Sequence, residues 1–275
     1  MPDWTPRMVS ANDLEIAYHR TGENSGKPPL VLLHGYTDSG LCWTAVARYF
    51  ESHYDVIMPD ARGHGQTHGP IENVAVELLA ADTAAFIRAL GLDQPAVLGH
   101  SMGGMQTLAL AASYPDLVRA AVLEDPPFMD AELFTPSPDE QAQLEQDARD
   151  ALAFRVKPLE ERIAQGRADN PGWSEDELLP WAQSKAEYDP AIVPYRVAFR
   201  GYPWRDALVK VQCPVLLVAP DITIGGFVTE AMGAEAARIN PRTAFARFPG
   251  AGHSIHRDRF NEMMQRVSSF LAANP

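Results

Sequence analysis

Short runs made almost wholly of apolar residues recur through the first half of the chain, at residues 30–33, 56–58, 96–98 and 118–123. A strand with one face in water alternates apolar and polar residues, so a continuous apolar run needs both of its faces covered. Helical segments separate these runs. Residues 39–50 read as helix, and Val74, Leu78, Leu79, Ala85, Phe86 and Leu90 follow three- and four-residue steps before Gly91. A third helix spans 102–114 and is stopped by Pro115. Buried strands alternating with helices specify an α/β fold with a mostly parallel sheet and helices on both faces. All-helical and all-β folds are excluded. Residues 14–20 alternate instead, as a half-exposed strand does.

The pattern stops after Glu124-Asp125-Pro126-Pro127. Residues 129–205 hold no strand-like run, only helical, charged, proline-punctuated sequence. A buried strand then resumes at 214–219, followed by helix 228–239, strand 243–248 and helix 257–271. The expected organisation is a core of 1–128 plus 206–275, with a helical insertion at 129–205.

Composition narrows the partners. The chain has 275 residues, 46% of them hydrophobic and 21% charged, which is ample for a core and excludes wholesale disorder. Its net charge of −13 repels phosphate backbones and anionic lipid, so neither nucleic acid nor membrane is an expected partner. Cys42 and Cys213 stand far apart with no ligand spacing and read as free thiols of a reducing compartment. The first seven residues carry an acid and two prolines rather than the apolar stretch of a signal peptide, so a cytoplasmic location is expected. Oligomeric state, monomer or homodimer, stays open.

Chemistry centres on Gly99-His100-Ser101-Met102-Gly103, with a further Gly104. The segment follows a buried strand and opens a helix. A sharp turn there lifts the Ser101 hydroxyl above the sheet, and flanking glycines prevent Cβ clashes. The helix N-terminus adds positive potential where an oxyanion would form. A nucleophilic serine needs a base. His253, in Gly250-Ala251-Gly252-His253-Ser254, lies in the loop between the last strand and the last helix, at the same edge of the sheet. His64 and His68, four apart, have no third ligand spaced to join them, so no metal is expected. No G-x-G-x-x-G opens a helix and there is no Walker loop, so no nucleotide cofactor is indicated either.

Together, Leu33-His34-Gly35-Tyr36, Asp60-Ala61-Arg62-Gly63-His64-Gly65, Gly99–Gly104 and Gly250–His253 make the chain resemble an α/β-hydrolase fold serine hydrolase of the esterase and lactonase kind, over nearly its whole length. The resemblance implies an oxyanion hole from the backbone N–H groups of Tyr36 and Met102. It implies structural roles for His34 and for residues 60–65, a triad order of serine, acid, histidine, and no cofactor. The insertion 129–205 becomes a cap. The acid departs from the commonest pattern. In most relatives it follows the strand at 214–219, but the usual spacing falls on Ile222 or Thr223, and Asp221 arrives early. Asp125 stands 24 residues after Ser101, where the neighbouring strand ends at two prolines, and Leu123-Glu124-Asp125-Pro126-Pro127-Phe128 resembles a tract of a lactone-hydrolase minority. Asp125 is the expected acid and Asp221 the alternative. Glu124 is weighed as a third candidate that would point to the opposite side of its strand.

Residues 128–204 are about a quarter of the chain yet hold ten of its 24 aromatics: Phe128, Phe134, Phe154, Trp173, Trp181, Tyr188, Tyr195, Phe199, Tyr202 and Trp204. Most are expected in the core of the cap. The excess still favours a bulky apolar acyl or alcohol group, with His34, Gly35, Phe128, Trp181, Tyr188 and Tyr202 as expected pocket residues. The reading is cleavage of a small-molecule ester or lactone through an acyl-enzyme. Competing readings are a carbon–carbon bond hydrolase of ring-cleavage products, a perhydrolase or cofactor-free haloperoxidase, and a low-turnover receptor. Dehalogenase and epoxide-hydrolase chemistry is disfavoured, because each needs a carboxylate where Ser101 stands.

Overall fold

A computed structural model describes residues 4–72, 74–129, 138–197 and 201–275, and among them the apolar runs form an 8-stranded sheet of order β1-β2-β4-β3-β5-β6-β7-β8. The strands are β1 (Arg7–Ala11), β2 (Leu14–Arg20), β3 (Pro29–Leu33), β4 (Asp55–Pro59), β5 (Ala96–His100), β6 (Ala120–Glu124), β7 (Val215–Ala219) and β8 (Thr243–Arg247). β1 and β2 pair antiparallel, β2 joins β4 antiparallel, and β4 through β8 run parallel. The class is α/β, as the alternation requires.

Successive residues of each central strand feed opposite layers, which is why the runs are apolar throughout. Val31, Leu33, Val97, Leu123 and Leu217 face the layer of helices α2 (Val76–Ala89), α3 (Met102–Ser113), α7 (Trp204–Lys210) and α8 (Glu230–Ile239). Leu30, Leu32, Leu98, Val122 and Leu216 face α1 (Thr44–Phe50) and α10 (Phe260–Ala272). Each buried Leu or Val contributes about 1.5–3 kcal/mol.

Three elements differ from the sequence expectation. β1 was not legible as a strand: it is a half-exposed edge, joined to β2 through Asn12 and Asp13 at φ 50° and 59°, the double left-handed geometry of a two-residue hairpin. The helix expected over 39–50 starts as a 3₁₀ turn (Gly40–Trp43), where a Cβ on Gly40 would lie 2.5 Å from the Met58 carbonyl oxygen. The last helix is broken: α9 (Ile255–Asp258) ends at Arg259, φ −133°, and α10 starts afresh.

Between β6 and α7, the described residues form α4 (Pro138–Arg155), α5 (Leu159–Asp169), α6 (Glu175–Glu187) and a 3₁₀ stretch (Pro190–Val197). Buried Arg162 ties the three helices together by donating to the carbonyls of Ala182 (2.7 Å), Arg155 (3.2 Å) and Lys157. Residues 130–137, Phe134, Phe199 and the Tyr195 side chain lie outside the described residues. The chain re-enters the sheet layers at Trp204, two residues before the expected Asp206, because Trp204 stacks on Phe128 at 4.3 Å. Cys42 and Cys213 are both buried and unlinked. No helix among the described residues is long and apolar enough to cross a membrane.

Candidate active site

Parallel strands end together, and the loops leaving β3, β5, β6 and β8 converge at their carboxyl edge. Ser101 stands between β5 and α3 at φ 53° and ψ −115°, a conformation costing about 1–3 kcal/mol. The glycines around it are obligatory: a Cβ on Gly99 would lie 2.0 Å from Gly103 O, and one on Gly103 would lie 2.1 Å from Leu33 O. Ser101 N is fixed by Glu124 O at 2.9 Å, which ties the turn to the end of β6.

That strand end supplies two carboxylates. Asp125, fully buried and at φ 39°, turns one way: its Oδ2 lies 2.5 Å from His253 Nδ1, and its Oδ1 accepts from the N–H groups of Phe227 (3.0 Å) and Val228 (2.8 Å). A carboxylate only accepts, so Nδ1 carries the proton and Nε2 keeps its lone pair. Glu124, also fully buried, turns the other way and accepts from His256 Nδ1 at 2.9 Å and His256 N at 2.8 Å. Two adjacent carboxylates therefore hold two histidines three residues apart, one before α9 and one within it. His100 packs between those histidines, its ring 4.6 Å from His253 and 5.1 Å from His256, and its Nε2 donates to the His253 carbonyl at 3.1 Å. Burial raises Glu124 and lowers His256 and His100.

Asp221 is placed elsewhere. Its Oδ1 accepts from the Thr223 hydroxyl (2.8 Å) and N–H (3.2 Å), and its Oδ2 from Gly250 N (3.3 Å). These bonds, the Thr223 hydroxyl first, hold its carboxyl below the usual range. The loop after β7 serves Asp125 instead. At Gly226, φ 124°, a Cβ would lie 2.7 Å from Asp125 Oδ2, so a glycine there admits the Phe227 and Val228 donors.

Ser101 and His253 line a cavity of about 380 Å³, together with Tyr36 and Met102. Its apolar wall comes from Pro127, Ala151, Trp173, Trp181 and Phe227. Of the expected pocket residues, Gly35 and Trp181 line it, and four expectations need correction. Phe128 is stacked beneath on Trp204, while Tyr202 is buried in the layer of α2 and α3. Tyr188 is buried and donates to Ala151 O at 3.1 Å. His34 lies under the loop, donating from Nδ1 to Gly35 O (2.8 Å) and accepting Ala61 N at Nε2 (2.9 Å). Three of these are aromatics whose surface the core takes; His34 is spent on holding two loops together.

The sequence reading missed a charged cluster on the cavity wall. Lys185 of α6 donates to Asp38 Oδ1 (2.5 Å) and to Thr37 O and Oγ1 (3.1 and 3.0 Å). Arg257 of α9 donates to Asp38 Oδ2 (2.9 Å) and to Glu177 Oε2 (3.3 Å), and its guanidinium lies 4.7 Å from the Trp173 ring. Burial alone would raise the Asp38 carboxyl, but Lys185 and Arg257 hold it well below the usual range. The cluster links the loop after β3, the helical insertion and the histidine loop. No sequence spacing could reveal it, since its partners lie 80 to 219 residues apart.

Residues 60–65 shape the neighbouring loop. Asp60 accepts from Gly40 N (2.7 Å) and Gln66 N (2.9 Å), and Arg62 forms a buried two-bond pair with Asp82 (2.7 and 2.8 Å). His64 is fully buried, its Nδ1 donating to Arg62 O at 2.9 Å, and burial first, then the nearby His34, pulls it down to about 3. Among the described residues no group of three or more His, Cys, Asp or Glu side chains is arranged to hold a metal. Because His64 is harder to protonate folded than unfolded, the stability it supports is present above its unfolded value of 6.5 and is lost as pH falls toward about 3. Its share of the slope is about 1.4 kcal/mol per pH unit. His64→Asn is therefore expected to flatten the fall in unfolding free energy between pH 6.5 and about 4.5 by roughly 2–3 kcal/mol. Denaturant titrations of both proteins across that range measure it; parallel curves would show that His64 titrates normally.

Comparison with known proteins places the fold. Residues 28–260 match the model of the alpha/beta hydrolase fold family. N-formylmaleamate deformylase of Pseudomonas putida is 29% identical over 274 residues, covering 96% of this chain and 95% of that protein. Two solved structures share the fold: an E-2-(acetamidomethylene)succinate hydrolase (TM-score 0.81, 23% identity, 98% of this chain and 99% of that one) and the enol-lactonase of Burkholderia xenovorans (TM-score 0.76, 22%, 97% and 100%). With the elbow, the paired carboxylates and the sheet order in place, the chain belongs to the alpha/beta hydrolase fold family and is a hydrolase.

Proposed function

We propose that the protein is a cofactor-independent serine hydrolase of carboxylic esters or lactones that carry a bulky apolar group. The observation that carries this reading is the 2.5 Å bond from His253 Nδ1 to buried Asp125, on a loop that shares one cavity with Ser101. Ser101 Oγ attacks the carbonyl carbon while His253 Nε2 takes its proton, and Asp125 stabilises the imidazolium. The N–H groups of Tyr36 and Met102 donate to the oxyanion, each contributing a factor of about 10²–10³. His253 returns the proton to the leaving alcohol, then activates the water that frees the acyl group. In this reading residues 129–205 are a cap, whose Ala151, Trp173 and Trp181 enclose the apolar group.

A fluorophosphonate should label Ser101 at a rate that depends on His253; equal labelling of His253→Ala would remove the triad. Esters with bulky apolar groups should exceed acetate esters in kcat/KM by about tenfold for each additional ~60 Å² of apolar surface buried. Acetates as the best substrates would overturn the pocket reading. Amide cleavage is a second reading, favoured by the likeness to a protein named as a deformylase. An N-formyl amide hydrolysed faster than its matching ester would establish it.

A further inference from the structure

The cavity wall presents cations whose pairing within their own cluster is incomplete. The wall itself carries two cations, Lys185 and Arg257, and one anion, Asp38, while the second carboxylate of the cluster, Glu177, pairs with Arg257 without lining the cavity. Lys185 spends its three N–H groups on Thr37 and Asp38. Arg257 does not spend all of its donors. Nη2 goes to Asp38 and Nε to Glu177, while Nη1 has no acceptor among the described residues. The side chain is only 3% exposed and lines the cavity. Its guanidinium plane is clamped by two carboxylates and packed against Trp173, so the position of Nη1 is fixed before any ligand arrives. An unpaired N–H group of a permanent cation that faces a cavity gains most from a charged acceptor. A preorganised guanidinium edge suits a planar carboxylate, whereas a dianion would meet the ionised Asp38 beside it.

We infer that Arg257 Nη1, with Lys185 alongside, is an anion subsite, and that the preferred substrate carries a free carboxylate on the group bound in the cavity. The inference rests on the hydrolase reading for the site's position, and adds the substrate's charge. It leaves the apolar wall its role: Trp173, Trp181 and Phe227 enclose the body of the group, and Arg257 takes its polar end.

The test uses two phenyl esters, one of adipic acid with its second carboxylate free, and one whose chain ends in an isopropyl group instead. Calorimetric titration into Ser101→Ala reads binding alone, and kcat/KM of the wild type reads turnover. The carboxylate ester is expected to bind at least about tenfold more tightly and to be turned over at least about tenfold faster, with both ratios shrinking as salt rises. Arg257→Lys keeps a cation beside Asp38 but withdraws Nη1, and should cut the ratio at least about fivefold. Equal or tighter binding of the isopropyl ester overturns the inference, as does an undiminished ratio in a folded Arg257→Lys. The wild-type and Ser101→Ala ratios decide the matter if that variant does not fold. If the wild type hydrolyses neither ester, the ester reading fails, while the binding ratio still decides this one.

Discussion

Ser101→Ala is expected to lower kcat by about 10⁵–10⁶ and leave the fold intact. The size follows from the loss of the covalent route: without Oγ, His253 has no proton to take, and only cavity binding and the oxyanion donors remain. Removing the nucleophile or the base alone costs nearly as much as removing the whole set, because they act as a unit, whereas the acid alone costs less. The fold should survive because alanine keeps the same Cβ at φ 53° and the Ser101 N–H still reaches Glu124 O. The check is kcat on the best ester, the melting temperature, and loss of fluorophosphonate labelling. More than about 1% residual activity in a folded, unlabelled variant would place the nucleophile elsewhere.

The second large effect separates the two aspartates. Asp125→Asn should lower kcat by at least about 10³, and Asp221→Asn by less than about tenfold. Asparagine at 125 can still accept from Phe227 and Val228, but where its NH₂ group meets His253 Nδ1 it favours the tautomer that leaves Nε2 protonated and unable to act as base. In a serine protease this substitution costs about 10⁴. Asp125 also anchors the loop after β7, so some loss of melting temperature is expected too. The two effects are distinguishable, because a purely structural aspartate would cost stability and spare kcat in the fraction that stays folded. Asp221 holds Thr223, Gly250 and the Arg247 guanidinium near the surface, away from His253, so its loss should be felt in that turn. Near-normal kcat in Asp125→Asn beside a collapse in Asp221→Asn would return the acid to the loop after β7.

Much of this was legible beforehand, and what was legible was local. The strand, turn and helix around Ser101 are written in consecutive residues, because the glycines that permit φ 53° must sit next to it. His253 could be read for a similar reason: a glycine-flanked histidine between the last strand and the last helix can only lie at the carboxyl edge. Glu124 and Asp125 could be seen as two carboxylates at a strand tip. Their division of labour could not, since it depends on Phe227 and Val228 arriving from the loop after β7 and on His256 from α9. Most aromatics after Asp125 are expected in the core of the cap, with Phe128, Trp181, Tyr188 and Tyr202 at the pocket, but composition does not say which way a ring points. Phe128, Tyr188 and Tyr202 were claimed by packing, while Phe227, from outside the insertion, joins Trp173 and Trp181 on the wall.

Alone, then, the sequence determined the α/β class and pointed to Ser101 and His253 as candidate nucleophile and base, because periodicity and turn chemistry act over a few neighbouring residues. The tertiary structure alone decided which carboxylate reaches His253, which aromatics face the cavity, and that Asp38, Lys185 and Arg257 meet there. Those outcomes depend on the crossing of loops from β3, β6, β7 and β8 and on the helical insertion packed above them. Contacts between segments so far apart leave no spacing in the chain to read.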